Sequence, residues 1–165
     1  MADEVVIREL NGLDEMLSIY PVYRLSHSHL DEAAFRKRLS AMLAQGNYRC
    51  IAAYVGDRIV GVSGFWTGIQ LWCGKYIEAD HVVVDTTLRR LGTGSRLMAW
   101  IEAEGERTGC AVFRIAMVLG KEPTHQFYVR NGFFDDGLLM VKALSRGAAE
   151  FPEYVSRPAE PGLGR

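Results

Sequence analysis

From Val82 to Leu97 the chain reads V-V-V-D-T-T-L-R-R-L-G-T-G-S-R-L, an apolar strand that runs into a basic, glycine-rich turn opening a helix. Arg89, Arg90 and Arg96 crowd the start of that helix. A helix N-terminus already carries unpaired N–H groups and partial positive charge. Cations gathered there are unfavourable unless an anion sits among them, and Gly92 and Gly94 let a phosphate approach the backbone. The turn therefore reads as a phosphate site; the plainer alternative is an ordinary connection with exposed arginines. Two known phosphate turns do not fit. Ser95 follows Gly94 where a P-loop needs lysine, and Leu97 stands where the dinucleotide fingerprint needs its third glycine.

The rest of the chain has an α/β order. Residues 4–8 read as a strand and 13–20 as a short helix interrupted at Pro21. Over 30–44, Ala34, Phe35, Leu39, Met42 and Leu43 recur at helical spacing, with Asp31 and Glu32 suiting the first turn. Residues 48–55 and 58–66 are strands joined across Gly56-Asp57, a tight hairpin. The strand at 77–84 enters the glycine turn, a helix follows at about 94–108, a strand at 111–118, and a last strand at 138–144. One domain is expected over 1–144, and 145–165 shifts to Pro, Gly, Arg and Glu as a tail, mobile or docked on a neighbour.

At 165 residues and 48% apolar content the chain can bury one substantial core, and a net charge of −1 argues against nonspecific nucleic-acid binding. Cys50, Cys73 and Cys110 are odd in number and widely spaced, as reduced thiols of a cytoplasmic protein would be. No basic-then-apolar leader and no apolar run of about 18 residues occurs, so neither secretion nor a membrane partner is expected.

The spacing Arg89-x-x-Gly92-x-Gly94 resembles the [QR]-x-x-G-x-[GA] turn of the GCN5-related N-acetyltransferases. The later run H-Q-F-Y-V-R-N-G-F over His125 to Phe133 resembles the same family's F-Y-x-x-x-G-F motif, with Gly132 placed as a helix C-cap. The likeness extends over about residues 4–144, with Lys121 and Thr124 where the family often has Asn and Ala. It implies a central mixed, mostly antiparallel sheet of about 6–7 strands flanked by about 4 helices, splayed between the fourth and fifth strands. It also implies acetyl-CoA as cosubstrate, with the pyrophosphate gripped by Arg89, Arg90, Leu91, Gly92, Thr93, Gly94 and Ser95, and the pantetheine and oxyanion served by Val82, Val83 and Val84.

For the chemistry the family likeness points to Glu78 as general base and Tyr128 as the acid for the departing thiolate. An amine is mostly protonated at pH 7 and needs a base, while a phenol of pKa about 10 stays protonated and can donate. Asp80 shares the Glu78 face by strand alternation and competes with it as base, while His81 is expected to point the other way as a structural residue. Tyr23, His27, Trp66, Trp72 and Asp80 are the candidate acceptor-binding residues. No metal is expected, because His27-x-His29 lacks a carboxylate partner. The layout is similar to that of small-amine acetyltransferases such as the aminoalkylphosphonate N-acetyltransferases. The expected reaction is direct transfer of acetyl to a primary amine of a small molecule. Protein or peptide acetylation and a noncatalytic acetyl-CoA-binding module are the alternatives, and a homodimer is expected by analogy.

Overall fold

The computed structural model describes residues 4–150, apart from the side chains of 89–91 and 148–149. It divides into two compact units, the first ending at Phe133 and the second beginning at Phe134. In the first, five strands form one sheet in sequence order: β1 (Val5–Leu10), β2 (Tyr48–Val55), β3 (Arg58–Gln70), β4 (Gly74–Val84) and β5 (Val112–Ile115). The first four pair antiparallel and β4 pairs with β5 in parallel.

Helices cover both faces of the sheet. Before β2 come α1 (Gly12–Leu17), α2 (Tyr20–Tyr23) and α3 (Glu32–Ala44), whose Met16, Val22, Phe35 and Leu39 pack on Leu10, Tyr48, Cys50, Val62 and Val83. Pro21 sits in the first turn of α2, where its missing N–H costs nothing, so it starts a separate helix rather than breaking one. Asp31 caps α3 by accepting from the Ala34 N–H at 2.8 Å. On the opposite face α4 (Thr93–Arg107) buries Leu97, Met98 and Ile101 against Ile51, Val60, Phe65 and Ile77.

Between β4 and α4 the chain makes a 3-10 turn over Thr86–Leu91 that ends on Gly92 at φ +65°, a left-handed position suited to glycine. Helix α5 (Glu122–Arg130) ends in a Schellman motif: Gly132, at φ +89°, donates to the Val129 carbonyl, and Phe133 donates to the Tyr128 carbonyl. That closure folds the Phe133 ring edge-on against Tyr128, 5.6 Å between centroids.

Two expectations need correcting. The sheet has five strands among the described residues, below the six to seven foreseen. In the second unit, residues 138–144 carry no strand; this mostly apolar run has no ladder partner among the described residues, and a strand without one cannot persist. Among its described residues that unit's one regular element is α6 (Ser145–Glu150), and the tail at 151–165 lies outside the described residues.

Candidate active site

Strands β4 and β5 pair only from Tyr76 to Ala79 and from Val112 to Ile115. Beyond Ala79, β4 continues to Val84 along β3 while β5 has ended, so its β5-side backbone edge is left open. A cavity of about 510 Å3 occupies this divergence, between β4 and the α2–α3 region on one side and residues 115–118 and α5 on the other. Glu78, Asp80, Tyr23, His27 and Tyr128 all line it, together with Val82, so the fold brings together five of the seven catalytic and acceptor-binding side chains singled out in the sequence.

The β4 wall is shaped by a bulge. Gly64 pairs with Asp80 and Val62 with Val83, so Ser63 alone opposes both His81 and Val82. His81 takes φ +36°, the left-handed conformation that glycine commonly supplies at such a position, at a cost on the order of 1 kcal/mol. The extra residue resets the alternation. His81 does not point away, as simple parity over 77–84 predicts; it turns onto the Asp80 face, where its ring meets Tyr23 edge-on at 5.7 Å.

Asp80 is tied down at both oxygens. The His81 backbone N–H donates to Oδ1 at 2.8 Å, the Trp66 indole N–H donates to Oδ2 at 3.0 Å, and His81 Nδ1 lies 3.6 Å from Oδ2. Burial works to raise this carboxyl, but the hydrogen bonds and charge of His81 and the Trp66 donor outweigh it and hold Asp80 down at about 2. The other ring nitrogen of His81, Nε2, is 2.9 Å from the Tyr48 hydroxyl. Burial, and after it the charges of Cys50 and Asp80, push Tyr48 far above the ordinary phenol range, so it stays protonated. His27 stacks on Tyr23 at 4.3 Å, and burial lowers its pKa.

Glu78 belongs to a separate network. Arg114 reaches its Oε2 through Nε and Nη2, both at 2.7 Å, while also donating to Gln70 at 3.0 Å and lying over the Tyr76 ring at 3.8 Å. On the far wall Tyr128 is 8% exposed and burial pushes its phenol up to about 12. Its ring is held by Phe127 and Phe133, and no hydrogen bond from its hydroxyl appears among the described residues.

The turn after β4 has the features of an anion site. Arg96 N–H closes onto the Gly92 carbonyl, so the N–H groups of Thr93, Gly94 and Ser95 precede the first intrahelical bond of α4. Gly92 offers them no side-chain acceptor, and no carboxylate stands in the first turn. The Thr93 hydroxyl is buried and has no partner among the described residues. A Cβ on Gly94 would press on the Phe127 ring at 3.0 Å, so glycine there lets α4 approach α5. Donors without acceptors, beside an open strand edge, fit a phosphate-bearing thioester. Arg96 spends one guanidinium N–H on the Val5 carbonyl at 3.2 Å. The side chains of Arg89, Arg90 and Leu91 lie outside the described residues.

Over residues 12–133 the chain matches the model of the "Acetyltransferase (GNAT) family". The chain belongs to that family. As a GNAT member it is an N-acetyltransferase, and the family uses acetyl-CoA as cosubstrate. It is similar to an aminoalkylphosphonate N-acetyltransferase of Salmonella typhimurium, 28% identical over 129 residues, which covers 77% of this chain and 84% of the relative. Among solved structures it is similar to a GNAT acetyltransferase of Staphylococcus aureus (TM-score 0.69, 19% identity, 86% of this chain and 99% of that one). It is also similar to an aminoglycoside acetyltransferase from an uncultured soil metagenomic sample (TM-score 0.72, 16% identity, 87% of this chain and 99% of that one). Both structural likenesses carry the GNAT fold.

Not every residue expected at the GNAT site reaches the cavity. Trp66 stands behind Asp80 as its donor rather than on the cavity wall. Trp72 lies at the tip of the β3–β4 hairpin, 64% exposed, with its indole N–H on Gln70. Val83 is buried in the α1–α3 face, while Val82 and Val84 pack on the α4 side. Tyr48, Arg114 and Arg38 are contributors that sequence reading missed. Tyr48 opens a strand as an ordinary apolar position, and nothing in its spacing ties it to His81, 33 residues later.

Proposed function

We propose that this GNAT member transfers acetyl directly from acetyl-CoA to the primary amine of a small molecule that also carries an anionic group. The observation that carries this reading is the cavity at the β4–β5 divergence, where the anionic Asp80 and the protonated Tyr128 hydroxyl face one space. Arg38 from the α3 side and Lys121 from the α5 side give the cavity cationic groups as well, which suits an acceptor with both charges. The Salmonella relative, named for aminoalkylphosphonates, supports an acceptor of that kind.

Acetyl-CoA supplies a thioester whose carbonyl carbon accepts the amine nitrogen and whose sulfur departs as thiolate. The N–H groups of Thr93, Gly94 and Ser95 and the Thr93 hydroxyl would hold its pyrophosphate, and the open β4 edge at Val82, Val83 and Val84 its amides. Asp80, ionised at neutral pH, holds the acceptor ammonium near the carbonyl. Tyr128 donates its hydroxyl proton to the departing sulfur. Glu78, the base that the family pattern implies, is paired with Arg114 and serves here to orient the amine side.

Direct transfer is favoured over a thiol intermediate, because none of Cys50, Cys73 and Cys110 lines the cavity, and burial pushes the Cys50 thiol to about 12. The test is an incubation with acetyl-labelled CoA. With an amine acceptor the label should pass to the acceptor. Label retained covalently on the protein when no acceptor is present would refute direct transfer.

A further inference from the structure

Resting on the acetyl-transfer reading above, we propose that His81 is the group that takes the proton from the acceptor ammonium, with the Tyr48 hydroxyl as the relay through which it passes. Four features lead there. The bulge places His81 in a left-handed conformation uncommon for a non-glycine residue, and its effect is to turn the ring onto the cavity side. Both ring nitrogens have partners of opposite character: Asp80 Oδ2 stands 3.6 Å from Nδ1, and the Tyr48 hydroxyl 2.9 Å from Nε2. Gly64 lies directly beneath, and a Cβ there would fall 2.7 Å from His81 Nε2, so the strand is kept bare where the imidazole and phenol meet. Tyr48, His81 and Asp80 all line the cavity, whereas Glu78 is held by two nitrogens of Arg114.

The chemistry of the partners sets the tautomer. Tyr48 keeps its proton and donates to Nε2; the imidazole hydrogen therefore sits on Nδ1, facing the Asp80 carboxylate. The groups around the ring are Asp80 on its own strand, Tyr48 with Cys50 behind it on β2, Tyr23 on α2, His27 just beyond α2, and Arg38 of α3 acting on Tyr23. When the acceptor binds, one ammonium N–H passes its proton to the Tyr48 oxygen as the Tyr48 hydrogen moves to Nε2. His81 becomes an imidazolium beside Asp80, and the nitrogen lone pair is freed to form the N–C bond as the C–S bond breaks. The nitrogen loses two protons in becoming an amide. One leaves by this relay and returns to solvent, and the other replaces the proton that Tyr128 gives to the sulfur.

The experiment combines kinetics with NMR. His81→Asn retains a residue that tolerates the left-handed conformation, and Tyr48→Phe removes only the relay oxygen. Each should lower kcat/KM about 100-fold or more at neutral pH and abolish the acidic limb of the wild-type pH profile. The penalty should shrink along a series of acceptors of falling amine pKa, because an amine that arrives neutral needs no base; a purely structural role would penalise all acceptors alike. Long-range 1H–15N spectra of the wild type, independent of any variant's folding, should show the hydrogen on Nδ1. An Nε2–H tautomer, or an acidic limb unchanged in His81→Asn, overturns the inference while leaving acetyl transfer standing. A wild type without turnover on any amine overturns acetyl transfer and the relay together.

Discussion

Replacing Tyr128 by Phe removes one hydroxyl from a ring held between Phe127 and Phe133, at centroid distances of 5.1 and 5.6 Å. Phe retains those contacts, and no hydrogen bond of the hydroxyl is lost among the described residues, so stability should change by no more than about 0.5 kcal/mol. For a chain of this size that is about 1–2 °C in Tm. The reaction should respond quite differently. Burial holds the phenol at about 12, so at neutral pH it is almost wholly protonated and available as a donor. General acids contribute about 100- to 10,000-fold, which at 1.36 kcal/mol per decade is about 3–5 kcal/mol of barrier. The assay is thiol release from acetyl-CoA at saturating acceptor, with a thermal melt on the same sample. Because the donor stays protonated across the working range, the deficit should be constant from about pH 6 to 9. A variant with kcat within threefold of wild type over that range would refute the acid role, and a melt lowered by more than about 5 °C would refute the claim that the hydroxyl is structurally idle.

Three further outcomes are expected. Gly64→Ala would drive a Cβ into His81 and Tyr48; overpacking of this kind costs about 1–3 kcal/mol, and the displaced pair should lose at least tenfold in kcat, while Gly137→Ala, with open space around it, changes neither melt nor rate. Arg107, with Arg49 against the opposing burial, holds the Glu104 carboxyl at about 2 rather than its ordinary 4.5, so this pairing stabilises the fold above about pH 4.5 and is lost as pH falls towards 2. Glu104→Gln should therefore cost about 1 kcal/mol at pH 7, after solvent screening of the exposed Arg107, and the difference in Tm should narrow in melts below about pH 4.5 and close only as pH approaches about 2. Trp72→Ala, at an exposed hairpin tip, should leave KM for the acceptor unchanged in steady-state assays.

How far the sequence was legible depended on whether the signal was local. The strand–turn–helix at 82–97, the Gly56-Asp57 hairpin and the Gly132 cap appear where residue chemistry alone placed them, since each rests on glycine conformation or short-range hydrogen bonding. Tyr128, Glu78, Asp80, Tyr23 and His27 converge on one cavity because two spaced motifs fixed the chain's course on either side of it. The His81 bulge was not legible: no glycine marks it, and parity along β4 misdirects every side chain past Asp80. Tyr48 was hidden for a related reason, its role arising only from pairing across β2, β3 and β4. Residues 138–144 show the reverse error, an apolar run without the partner a strand requires.

The most direct test of the central claim is steady-state release of CoA thiol from acetyl-CoA by the wild-type chain, across aminophosphonates, amino acids, polyamines, aminoglycosides and lysine peptides. The account predicts acceptor-dependent release with the highest kcat/KM for a small primary amine that also bears an anionic group. Release with lysine peptides alone, or none with any amine, would contradict it.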